Sequence, residues 1–190
     1  MFDETQSRIM DAAMEQIMER GYTATTTKEI AAKAGVNECT IFRRFGGKKE
    51  IVLAAMSTEK WNPGLKEADF VWVGEPETDL IEFSRTYMKK VTPQMVKVSM
   101  GLRTPELFSE TAEGIVRVPQ TFRQVLIRYF KEMHRIGKIK STDFEGLAMT
   151  FLSMNFGFVF LKGSFGNKLT ELEQEQYIQE SVRIFINGIA

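Results

Sequence analysis

An all-α fold follows from three features of this 190-residue sequence. Apolar residues recur at three- and four-residue spacing. Capping residues followed by acids open one segment after another. No stretch alternates cleanly at period two for more than a few residues. The pattern gives about nine helices in two parts. Residues 1–50 form a three-helix domain containing a helix-turn-helix, a helix over 48–60 links the parts, and residues 61–190 form a helical domain suited to ligand binding and dimerisation.

Thr5 is placed to cap a first helix ending near Arg20, with Gly21 just past its end. Ile9, Ala13 and Ile17, and beside them Met10, Met14 and Met18, give it an apolar face. Thr26-Thr27-Lys28-Glu29 reads as a capping box for a second helix that stops at Gly35. Asn37 caps a third, Glu38 to Phe45, closed by Gly46-Gly47. A fourth runs from Lys48 to about Lys60, and an irregular stretch with Trp61, Phe70 and Trp72 reaches Glu77. Thr78 caps a helix to about Val91; Thr92-Pro93 and Thr104-Pro105 each put proline at a first helical position. The segment after Thr104 is expected to break near Gly114, and Pro119 to start or kink a helix ending at Ile136. Thr142 to Glu145 and Thr170 to Glu173 read as two further capping boxes.

Composition narrows the function classes. Hydrophobic residues make up 43% and charged residues 26%, ordinary for a globular domain. No apolar run reaches the roughly 18 residues of a membrane span, and "MFDETQSRIM" has no basic leader, so a cytoplasmic protein without a membrane partner is expected. The single cysteine, Cys39, fits a reducing compartment, and with only one histidine, His134, beside it a zinc site would need mostly carboxylate ligands. No metal, cofactor or catalytic residue is expected: there is no histidine to pair with a serine, no P-loop and no GxSxG. Zero net charge argues against bulk coating of nucleic acid. Yet from Lys28 to Lys49 six basic residues (Lys28, Lys33, Arg43, Arg44, Lys48, Lys49) face only two acids, Glu29 and Glu38.

That charge lies on a helix-turn-helix pattern. Ala31 and Ala34 are small enough for a close helix crossing. Gly35 permits the positive φ of the turn, Val36 anchors after it, and Ile30, Ile41 and Phe45 close the core. At about 100° per residue, Phe45 lies within about 40° of Ile41, while Cys39, Thr40 and Arg43 point broadly away and Phe42 and Arg44 take opposite flanks. A helix laid in a major groove uses this layout, with central side chains at base edges and flanking ones at phosphates.

Residues 21–49 resemble the DNA-binding domain of the TetR family of bacterial transcriptional repressors, through Gly21-Tyr22, Thr25-Thr26, Ile30-Ala31, Ala34-Gly35-Val36, Thr40-Ile41-Phe42, Phe45 and Lys48. The resemblance implies that Thr26, Thr27 and Lys28 meet the backbone or groove edge. It further implies that Thr40, Phe42, Arg44 and Lys48 hold phosphates, and that Glu38, Cys39 and Arg43 lie nearer bases. Asn37 belongs to the same face as the cap of the recognition helix. The family usually carries tyrosine where this chain has Phe42, so a phosphate hydrogen bond worth roughly 0.5–1.5 kcal/mol is missing. Where histidine is often found, Arg44 supplies a permanent charge, and where a small residue is frequent Cys39 stands. For Glu38 two roles are open: favouring the positive end of its helix, or accepting from a cytosine amine.

The remainder carries soft, adaptable side chains that suit an apolar ligand or an ordinary core: Met88, Met95, Met100, Phe108, Phe122, Phe130, Met149 and Met154 are the candidate effector residues. "GLAMTFLSMNFGFVFLKGSFG" is apolar nearly all round and needs cover on more than one side. In the family the last two helices form a dimer interface, which here draws on Phe151, Phe158, Tyr177, Val182 and Phe185. The expected function is a homodimeric regulator, a repressor released from a palindromic double-stranded DNA operator by a small, largely apolar effector. The alternative is a helical protein-interaction module without specific DNA binding.

Overall fold

A computed structural model describes residues 2–62 and 64–189, the side chain of Glu106 excepted. Among the described residues there are nine α-helices and no strand. They are α1 (Glu4–Arg20), α2 (Thr27–Ala34), α3 (Glu38–Phe45), α4 (Lys48–Met56), α5 (Pro76–Lys90), α6 (Pro93–Gly101), α7 (Pro105–Arg135), α8 (Phe144–Phe165) and α9 (Gln174–Asn187). The chain divides into two compact units, one of Met1–Pro63 with Gln94–Val116, the other of Gly64–Pro93 with Arg117–Ala190. Residues 94–116, which the sequence assigns to the C-terminal part, therefore pack in the first unit.

The first unit closes around Ile9, Met14 and Ile17 of α1, Ile30 of α2, Ile41 of α3 and Ile51 of α4. Val98, Leu102 and Leu107 extend the same core. At Gly101 a side chain has no room, since a Cβ there would stand 2.9 Å from the Ile17 carbonyl oxygen. Trp61 is buried against this core, its indole N–H donating to Asp11 at 3.0 Å.

Several boundaries differ from the sequence pattern for local reasons. Asp3, not Thr5, caps α1, because its carboxylate accepts from the Gln6 amide while the Gln6 side chain returns to Asp3. Helix α4 ends at Met56 rather than Lys60; the hydroxyls of Ser57 and Thr58 turn back onto the Ala54 and Ala55 carbonyls, each at 2.7 Å. Pro76 at the start of α5 replaces Thr78 as the opening signal. The Thr170 hydroxyl accepts from the Leu172 amide ahead of α9, which begins only at Gln174. The expected break at Gly114 and Pro119 is absent: α7 is one helix of 31 residues. Glycine costs a helix only about 1 kcal/mol. Beyond Pro119 the helix buries Phe122, Val125, Leu126, Tyr129 and Phe130, which outweighs the lost proline hydrogen bond. The span from Phe144 to Lys168 is long and apolar enough to cross a membrane by length and composition, which corrects the sequence reading. Its Asn155 is buried in the second unit and its Lys162 reaches the Thr170 carbonyl at 3.0 Å, so part of this helix serves as packing surface within the chain.

The second unit is built on aromatic contacts. Tyr87 stacks on Phe122 at 4.5 Å, Phe83 meets Tyr129 edge-on at 5.0 Å, and Phe151 lies 5.1 Å from Phe185. The irregular stretch after Lys66 is tied down by the buried carboxylate of Asp79. It accepts from the Val73 and Gly74 amides at 2.7 and 2.9 Å and from the Tyr129 hydroxyl at 3.1 Å. Burial first, and the nearby Asp79 charge second, push the Tyr129 hydroxyl far above its ordinary pKa. Asp79→Ala is expected to lower the unfolding free energy by roughly 3 kcal/mol or more in urea titrations, because two amides and a phenol lose their acceptor. A second prediction concerns pH. Arg85 holds the Glu175 carboxyl down to about 2, linking α5 to α9. A carboxyl depressed in the folded state stabilises fully above its ordinary pKa of 4.5 and loses that contribution as pH falls through about 2. Nuclear magnetic resonance titration of Glu175 is expected to show a midpoint well below that of Arg85→Met protein.

Candidate nucleic-acid interface

Helix α3 has eight residues, too few to be stable alone. Ile41 holds it to the first unit with no exposed surface, and Phe45 and Val36 pack beside the same core. Gly35 takes φ 66° in the turn and Gly46 φ 92° at the far end, conformations that favour glycine. Asn37 caps α3 by accepting from the Cys39 amide at 2.8 Å. The rest of the helix faces outward: Cys39, Phe42, Arg43 and Arg44 are exposed and Thr40 is half-buried. Phe42 stands 52% exposed, which an aromatic ring does not choose in water.

The candidate residues fall into three groups. Thr26 and Asn37 are spent on caps: the Thr26 hydroxyl donates to Glu29 at 2.8 Å and accepts from the Glu29 amide, while Glu29 also accepts from the Thr26 amide at 3.1 Å. These bonds, led by the Thr26 hydroxyl, hold the Glu29 carboxyl below its ordinary range. Thr27 and Glu38 hold each other, the Thr27 hydroxyl donating to Glu38 at 2.6 Å. Lys28 and Arg43 are exposed and meet no acid among the described residues, whereas Arg44 pairs with Asp3.

Lys48 sits differently from what the sequence suggests. Its ammonium donates to the Tyr22 and Thr25 carbonyls, both at 2.7 Å, and lies 4.0 Å above the centre of the Tyr22 ring. It thus clamps the turn that leads into the Thr26 cap. Sequence reading also missed Gln16, buried on α1. Its amide donates to the Glu29 carbonyl at 3.0 Å and accepts from Arg20 at 2.9 Å, and Arg20 reaches the Glu29 carboxylate at 3.0 Å. The only signal for this network was a glutamine beside the apolar stripe of α1.

Elsewhere the candidate sets divide. Met88, Phe122 and Phe130 are buried in the second unit, where Met154 is half-buried and Met149 exposed. Met95, Met100 and Phe108 belong to the first unit, with Met100 and Phe108 exposed. A cleft of about 340 Å³ in the second unit is lined by other residues, among them Glu75, Lys138, Ile139, Ile186 and Ile189. Of the candidate dimer residues, Phe151, Phe158, Val182 and Phe185 are buried within the protomer, so they have little surface left for a partner, and Tyr177 is half-buried, stacked on Phe158.

A short helix seated by one isoleucine, turned outward behind a glycine turn and edged by cations is a helix-turn-helix, the reading unit of a DNA-binding regulator. The chain belongs to the TetR family of bacterial regulatory proteins: the family's N-terminal model matches residues 9–55, and the AefR-like transcriptional repressor C-terminal domain matches residues 78–188. It is similar to the uncharacterized HTH-type transcriptional regulator YvkB of Bacillus subtilis strain 168, 32% identical over 188 residues, covering 98% of this chain and 97% of that protein. Among solved structures it resembles AibR in complex with isovaleryl coenzyme A and operator DNA, at TM-score 0.70 and 21% identity over 95% of this chain and 97% of that one. It also resembles NalD, the secondary repressor of the MexAB-OprM multidrug efflux pump in Pseudomonas aeruginosa, at TM-score 0.70 and 15% identity over 98% and 97%. The protein is a transcriptional regulator of this family and not an enzyme.

The clamp makes a separable prediction. Lys48→Met is expected to destabilise the protein by about 1.5–3 kcal/mol without any DNA present. Calorimetry on the free protein checks it; a residue that served phosphates alone would leave the melting curve unmoved.

Proposed function

We propose that the protein is a dimeric repressor that places two copies of α3 in successive major grooves of a palindromic operator and leaves it when a small, largely apolar effector binds. The observation that carries the DNA half of this reading is the outward face of α3, where Cys39, Phe42 and Arg43 are exposed. Lys28, Arg43 and Arg44 supply the phosphate-side charge, Arg44 by exchanging Asp3 for a phosphate. One helix this short reads too few bases, so a second copy completes the site.

The second copy has a surface of suitable make-up on α8. Met149, Ser153, Phe156, Gly157 and Phe160 recur at helical spacing on the flank beside the buried stripe of Ala148, Phe151, Leu152, Asn155 and Val159, and the Phe156 and Phe160 rings lie 6.1 Å apart. Small residues among large ones let two such helices approach closely. Effector binding is assigned to the second unit, whose aromatic interior keeps Ser84 Oγ and Asn155 Oδ1 buried without a hydrogen-bond partner among the described residues. An apolar ligand with one polar end suits such an interior. AibR, which binds isovaleryl coenzyme A and operator DNA, supports a small-molecule effector, and that ligand's acyl tail alone is apolar; the similarity to the AefR-like repressor domain and to the repressor NalD supports repression.

Release is a population shift between conformers with differently spaced recognition helices. Helix α4, which the sequence reads as the link between the two parts, is the proposed carrier, and α7 joins it in this role. Lys49 on α4 pairs with Glu110 on α7, and α7 continues unbroken to Arg135.

Selection of bound DNA from a random pool tests the reading, with a palindrome of two half-sites as the expected product. Affinity for it is expected to fall steeply between 50 and 200 mM salt. Arg44→Ala should weaken all sequences alike and flatten that dependence. Phe156→Glu is expected to give monomers in sedimentation and to abolish operator binding; a dimer that persists unchanged would move the interface elsewhere.

A further inference from the structure

We propose that Glu38 reads a cytosine in each half-site, through a carboxylate that Thr27 holds in place. The inference rests on the operator-binding reading above and goes further by naming the base. Glu38 is the first residue of α3, the end of a recognition helix that comes closest to base edges. Glu38 is half-buried, and its carboxylate accepts from the Thr27 hydroxyl at 2.6 Å, a short charge-assisted bond that ties the side chain to α2.

Electrostatics sharpens the question of what this group does. Around it the chain gathers cations, yet no lysine or arginine pairs with Glu38 among the described residues. A carboxylate that keeps its charge beside phosphates weakens every DNA complex unless the duplex offers it a donor. In the major groove only two base groups donate, the N4 amine of cytosine and the N6 amine of adenine; guanine and the thymine carbonyl present acceptors that repel an anion. Adenine sets its N7 acceptor directly beside the amine, an arrangement that suits an amide side chain and repels the second carboxylate oxygen. Cytosine sets only a C–H there. The order of preference is therefore cytosine, then adenine, with guanine and thymine excluded.

Thr27 acts as a positioning residue. Its hydroxyl ties Glu38 to the start of α2, so the carboxylate reaches the groove in one orientation and loses little freedom on binding. The remaining role for Glu38, favouring the positive end of α3, needs neither Thr27 nor any particular base.

The full-length protein is first given a random DNA pool. Binding of the selected operator and its single-pair variants is then measured by fluorescence anisotropy at one fixed salt concentration. One position in each half-site is expected to require cytosine on the contacted strand, the other three pairs binding roughly 5- to 100-fold more weakly. Glu38→Gln should move the preference at that position to adenine, since an amide offers a donor and an acceptor together. Glu38→Ala should flatten it while preferences elsewhere survive, and Thr27→Val should weaken discrimination at that position alone. Thermal melts confirm that the variants are folded. If Glu38→Ala tightens binding to every sequence by one common factor, the carboxylate only repels phosphates and the inference fails. A drop in affinity spread evenly over all positions, together with a lower melting temperature, assigns Glu38 to the helix end and also overturns it. A palindrome with no such cytosine sinks this inference and leaves the regulator reading intact, whereas failure to select any palindrome ends both.

Discussion

One fully buried side chain, Ile41, sets the orientation on which DNA reading depends. Helix α3 has two turns, and its own hydrogen bonds cannot hold it together in water. Burying a single isoleucine contributes roughly 1.5–3 kcal/mol, and the Asn37 cap adds about 1 kcal/mol. Together these fix the rotation of the helix about its axis. Every other property of the surface follows from that rotation: with Ile41 inward, Cys39 and Arg43 must point out, and Glu38 must lie against Thr27. Gly35 and Gly46 let the chain enter and leave so small an element without strain.

Around this seat the first unit invests in polar ties rather than in more apolar surface. Lys48 holds the turn before α2 through two carbonyls and a ring face, and Gln16, Arg20 and Glu29 bind α1 to the start of α2. Such bonds are directional, whereas apolar packing is not. A reading surface has to hold side chains to within a fraction of a hydrogen-bond length, so directional ties belong here. The second unit is organised otherwise, by stacked and edge-on rings with Asp79 as its main polar anchor. Two of its buried polar atoms, Ser84 Oγ and Asn155 Oδ1, have no hydrogen-bond partner among the described residues.

The fold was legible where local chemistry decides it. Thr26, Asn37 and Gly35 each announce an end of a helix through their own backbone, and α2 and α3 begin and turn where those residues say. Legibility failed where distant packing decides. Nothing local in Gly114 and Pro119 reveals that Phe122, Leu126 and Phe130 will carry α7 straight through them. Nor does the sequence show that residues 94–116 fold back to cover Ile17, since the close approach at Gly101 depends on a carbonyl far away in the chain. Among the interface residues, periodicity identified which side chains face outward. It could not tell Lys48, bound to two carbonyls, from Arg43, which meets no acid among the described residues, because both are simply cations at the right spacing.

That last distinction changes the meaning of the positive charge between Lys28 and Lys49. Lys33 is paired with Glu15 at 3.0 Å, Arg44 with Asp3, Lys49 with Glu110, and Lys48 is caged by carbonyls. Lys28 and Arg43 are the cations of this stretch that meet no acid among the described residues. In the free protein most of the surplus is therefore already engaged, and long-range attraction to a random duplex is weaker than the formal charge implies. Exposed ion pairs are worth only about 0–1 kcal/mol, so Arg44 can trade Asp3 for a phosphate at little cost once it is docked. Lys48, with two charge-assisted bonds and a ring beneath it, loses more by leaving. On the operator-binding reading proposed above, the exchangeable cations would take up phosphates as α3 docks and so fix its register, while the base contacts would select the sequence. A carboxylate with no cation partner among the described residues would then be tolerated at the start of α3 where the duplex offers it a donor.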